Sequence, residues 1–149
     1  MTLRFKALVG SLLLAAFAFS YPALADDQDT IDYRQHVMNT LDEQTAAIDQ
    51  ILQHKAPPDN IAIHTQIVAI AAAMAKTAFA PRVPGGESKA AVWSNWADFA
   101  KRLDGLVVYT QSVERAAKQG GAAAVGPALA AANPCQECHA IYRVQKQKK

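Results

Sequence analysis

The chain predicts an all-α fold, an antiparallel four-helix bundle, on three observations. Four segments repeat apolar residues at steps of three and four, clusters of Pro or Gly separate them, and no segment shows the alternation of a half-buried strand. The connections are short, which favours the up-down form of such a bundle.

Ahead of the first helix, Arg4 and Lys6 precede an uncharged apolar run from Ala7 to Phe19, and Ala23-Leu24-Ala25 follows. This pattern is that of a cleaved secretory signal peptide, residues 1–25. The run is shorter than the ~20 residues that cross a bilayer, so the processed chain is expected not to span a membrane. Residues 26–149 are the length of one domain. Losing Arg4 and Lys6 takes the formal charge from +2 to neutral, which is poor ground for nucleic-acid binding. Lys146, Lys148 and Lys149 form the one basic cluster, read as a solvated helix end.

The first helix runs from about Thr30 to His54, with Ile31, Met38, Leu41, Thr45, Ile48 and Leu52 as its stripe. Pro57 and Pro58 stop it. The second, about Asp59 to Phe79, carries Ile63, Ile67, Ile70 and Met74 at the same spacing, with Asp59 or Asn60 as cap. After a loop at 81–86, Ser88 can cap a third helix whose inner face is Val92, Trp96, Phe99, Leu103, Leu106 and Val113. Gly120 and Gly121 end it. The last segment turns Val125, Leu129, Ala132, His139 and Tyr142 or Arg143 inward. Asn133-Pro134 either caps a new helix at that point or kinks one that starts near Pro127.

Cys135-Gln136-Glu137-Cys138-His139 carries the chemistry. Residues three apart share a helix face, so both thiols can form thioethers with one edge of a porphyrin, and the imidazole that follows can reach its iron. This is the attachment pattern of a c-type haem. A redox dithiol would sit beside a strand-helix unit, a disulfide here would close a trivially small loop, and zinc lacks a fourth ligand at recognisable spacing. One covalent haem c with iron, on the C-terminal helix, is therefore expected.

With Tyr33-Arg34-Gln35-His36-Val37-Met38, Val92-Trp93-Ser94 and the ending Cys135 to Arg143, the chain resembles the cytochrome c′ family over its whole processed length. The resemblance implies that Arg34 pairs with a haem propionate, that Arg143 lies on the proximal side near His139, and that homodimers form through the first two helices. Trp93 matches a family position too, and its expected role is packing. Met38, four residues after Arg34, falls where the family faces the distal side of the iron, and a thioether there resembles the low-spin cytochromes c-556.

These readings converge on a periplasmic electron carrier, not an enzyme, whose iron is held by His139 and Met38 and which meets redox partner proteins. The alternative is a five-coordinate cytochrome c′ that binds nitric oxide or carbon monoxide, with Met38 as a steric gate in the apolar stripe. Peroxidase-like chemistry would need a distal acid–base pair, and His36, like His54 and His64, is expected to face solvent.

Overall fold

The first helix, α1 (Asp27–Leu52), starts with a capping box. The Asp26 side chain accepts from the Asp29 N–H at 2.8 Å while the Asp29 carboxylate accepts from the Asp26 N–H. The helix ends in a Schellman motif. His54 sits in the left-handed region at φ 57°, and the N–H groups of His54 and Lys55 donate to the carbonyls of Ile51 and Gln50. The computed structural model describes residues 26–132 and 134–145. The expected signal peptide, Asn133 and the C-terminal lysines lie outside the described residues.

A 3-10 turn, Pro58–Asn60, leads into α2 (Ile61–Phe79). A short α3 (Ala91–Ser94) precedes α4 (Trp96–Ala130), and α5 (Pro134–Tyr142) closes the chain. Inside α4, Gly121 adopts φ 59° and ψ −153°, a conformation that only glycine takes without strain. The chain turns back there, so residues 122–130 and α5 together form the fourth member of the bundle. Of the two readings of Pro134, the restart is the one observed, with proline at the first helical position where its missing N–H costs nothing.

The third inner face agrees with the sequence reading and the first only in part, since Thr45 is exposed and Arg34, Val37 and Ile51 are buried outside the expected stripe. Ile48 is buried on α1, and Val92, Phe99, Leu103, Leu106 and Val113 are buried on α3 and α4. Asn95 interrupts this third stretch at φ −125°, a break that no Pro or Gly announces. The second helix corrects the expectation. Ile63 and Ile70 are each 55% exposed and Met74 40%, whereas Ile61, Thr65, Ala69, Ala72, Ala75 and Ala78 face inward. Small inner side chains let α2 lie against both α1 and α4. Helical periodicity could not choose between the two faces because both are apolar.

The core divides into two clusters. One joins Ile48, Ile51, Ile61, Val113 and Val125 at the end distant from the cysteines. The other joins Val37, Phe79, Trp93, Phe99, Leu103 and Tyr142. Helices α1 and α4 touch little, α5 packs on α3 and α4, and residues of α1, α4 and α5 line one cavity.

Candidate functional site

A nine-residue helix presents the whole attachment motif. Cys135, Cys138 and His139 project from α5 into a cavity of about 590 Å³. Met38 and Leu41 of α1 and Leu103 and Leu106 of α4 supply apolar wall, with Phe79 and Phe99 beyond them. The volume is in the range of cofactor pockets, ~300–1,000 Å³.

Burial sets the charge states. Loss of water raises the thiol pKa of both Cys135 and Cys138, so both are neutral near pH 7, and neither forms a disulfide. The same desolvation, helped by the positive charge of Arg143, lowers the pKa of His139, while Asp42 and Glu87 oppose the shift. A neutral imidazole is the form that binds iron.

Arg34 and Arg143 both line the cavity. Arg34 is 1% exposed. It donates through Nη1 to the Val83 carbonyl at 2.6 Å and through Nη2 to the Gly85 carbonyl at 2.7 Å. Its guanidinium also stands 5.0 Å from the Trp93 ring centre and 5.7 Å from that of Phe79. Arg34 thus pins the loop between α2 and α3. Trp93 packs as expected and fixes the same region, its indole N–H shared by the carbonyls of Phe79 and Pro81 at 3.0 Å each. Arg143 is exposed on its outer side and donates from Nε to Glu87 at 2.7 Å.

Tyr142 faces inward as one of the two expected candidates, but its partners Asp98 and Arg102 escaped the sequence reading. Tyr142 donates its hydroxyl to Asp98 at 2.6 Å, and Arg102 donates to the same carboxylate oxygen at 2.6 Å. These two bonds hold the Asp98 carboxyl below its usual range. His36 and His54 are exposed, and His64 lies 2.7 Å from Gln44 through Nδ1. None of the three lines the cavity.

The residues present fit a covalent haem c. Two neutral thiols and a neutral imidazole line one cavity large enough for a macrocycle, together with the apolar side chains of Met38, Leu41, Leu103 and Leu106 and the cationic Arg102 and Arg143. Among the described residues no group of three or more His, Cys, Asp or Glu side chains offers a separate metal site.

The comparisons with known proteins agree with this geometry. A family model described as Cytochrome C′ matches residues 29–143. The cytochrome c′ of Rubrivivax gelatinosus is 29% identical over 122 residues, covering 77% of this chain and 94% of that protein. The cytochrome c′ of Alcaligenes xylosoxydans xylosoxydans is 25% identical over 128 residues, covering 82% and 98%. A nitric oxide complex of a variant of cytochrome c prime from Alcaligenes xylosoxidans shares the fold, with a TM-score of 0.73, 23% identity, and 82% of this chain and 99% of that one covered.

These findings overturn the expected electron carrier with His139 and Met38 both on the iron. The matches are to cytochromes c′, one of them a nitric oxide complex, and none supports the low-spin c-556 branch. The structure supplies a physical reason why Met38 misled. It packs half-buried against the apolar cluster that contains Val37 and Leu103, so its place in the stripe is explained by packing.

Proposed function

The chain belongs to the cytochrome c′ family, and on that premise we propose that it is a five-coordinate haem protein that binds nitric oxide or carbon monoxide. One covalently bound haem c with its iron is the cofactor. When bound, the haem supplies an iron with one axial position open to a diatomic gas.

The observation that carries the proposal is the opposition of two walls across one cavity. On one, Cys135 and Cys138 would hold the macrocycle and the neutral imidazole of His139 would bind its iron. On the other, Met38, Leu41, Leu103 and Leu106 would present apolar side chains to the open position. Arg143 would meet the proximal rim, whereas Arg34, its guanidinium already held by the Val83 and Gly85 carbonyls, would have only its remaining N–H groups for a propionate. The role is binding rather than catalysis. His36, the candidate for distal proton transfer, is exposed and outside the cavity lining, which supports that reading.

Export to the periplasm is part of the same proposal, supported by the signal-peptide pattern of residues 1–25 and by the domain that follows at 26–149. So are redox partner proteins that set the oxidation state of the iron. A homodimer through the first two helices is supported by the exposed stripe of Ile63, Ile70 and Met74 on α2.

Absorption spectra of the oxidised and reduced protein, with and without carbon monoxide, test the function. A high-spin spectrum that shifts on adding carbon monoxide is expected. Met38→Ala should leave spin and coordination unchanged and tighten carbon monoxide binding roughly tenfold by relieving crowding. A low-spin reduced protein that ignores carbon monoxide would overturn the proposal.

A further inference from the structure

The helix that carries the haem ligands is short and weakly held. At nine residues α5 is below the ~12 at which an isolated helix becomes even marginal in water. Its one buried side chain is Tyr142, 3% exposed. The orientation of the whole element therefore depends on how that side chain is fixed.

Tyr142 is fixed from two directions. Its hydroxyl donates to Asp98 at 2.6 Å, accepts from Asn95 Nδ2 at 3.3 Å, and its ring meets Phe99 edge-on with centres 5.0 Å apart. All three partners belong to α4 or the residue that precedes it. From the other side, its carbonyl accepts the Lys89 N–H at 2.9 Å, and Lys89 Nζ donates to the Ile141 carbonyl at 3.1 Å. Arg102, which fixes Asp98 from the next turn of α4, also lines the cavity beside Cys138. His139 lies three residues before Tyr142, on the adjoining face of the same short helix.

We propose that Tyr142 and Asp98 are positioning residues for the proximal imidazole: their hydrogen bond fixes the rotation of α5 and so the direction in which His139 meets the iron. This rests on His139 being the axial ligand of a five-coordinate haem, as proposed above. A ligand aimed by its supporting shell gives one well-defined bond, and a loosened one gives a spread of geometries. Tyr142→Phe removes only the hydroxyl and keeps the contact with Phe99. Asp98→Asn keeps the shape of the acceptor and removes its charge.

The experiment compares haem-loaded parent, Tyr142→Phe, Asp98→Asn and Asp104→Ala by resonance Raman spectroscopy of the ferrous state and by carbon monoxide titration. Both positioning variants should shift and broaden the iron–histidine stretching band and weaken carbon monoxide binding by roughly tenfold. Asp104→Ala loses the Lys76–Asp104 ion pair between α2 and α4, and should leave the band where it is while lowering thermal stability slightly. An unmoved band in the positioning variants, with the band present in the parent, defeats this inference and leaves gas binding intact. A parent that is six-coordinate and lacks the band defeats the gas-binding reading and this inference together. Should Tyr142→Phe fail to fold, Asp98→Ala, which removes the acceptor at a side chain that is 39% exposed, decides alone.

Discussion

At the scale of single residues, Arg34 shows how a full charge can be held inside a small bundle. Burial alone would make a guanidinium costly, but two carbonyls accept its N–H groups and two aromatic faces flank it. Lysine would not reproduce this geometry, since its ammonium is a compact point charge without the planar fork that spans both carbonyls and lies against both rings. Arg34→Lys should therefore destabilise the protein by about 2–4 kcal/mol, read as a lower midpoint in urea unfolding. A cost below about 0.5 kcal/mol would mean that the loop around Val83 and Gly85 has other anchors. The sequence drew attention to Arg34 through resemblance alone, because its partners lie 49 and 51 positions away. The cysteines and His139 were legible for the opposite reason, since their chemistry is written in five consecutive residues. Tyr142 and Asp98, separated by 44 positions, left no comparable local mark.

At the scale of elements, two interruptions shape the site. Gly121 reverses the chain and Asn95 separates α3 from α4. The first was readable because paired glycines mark a stop, whereas the second follows from tertiary packing. Gly121→Ala should cost about 1–3 kcal/mol, since a Cβ is strained at that φ and ψ although nothing crowds the position. Thermal unfolding checks this, and the same substitution at Gly126, which has open space and no positive φ, should be neutral or stabilising. Helix α2 was placed correctly along the chain but turned the wrong way. Alanine counts as apolar in any periodicity, so a helix with a small-residue face and a large-residue face presents two equally good answers.

At the scale of the whole molecule, the large-residue face of α2 exposes Ile63, Ile70 and Met74 at helical spacing on one element. A dimer that covers it would explain why Ile63 and Ile70 are kept there. Ile70→Lys should shift sedimentation toward the monomer with little change in helix content. A parent that stays monomeric at every concentration tested would remove the dimer from the account. The alanine face has a quieter consequence. Along this one helix, tolerance to substitution is inverted relative to common experience: the exposed Ile63 and Ile70 can be exchanged without unseating a neighbour inside the bundle, whereas adding even a few atoms at Ala72 or Ala75, both fully enclosed, would wedge it apart.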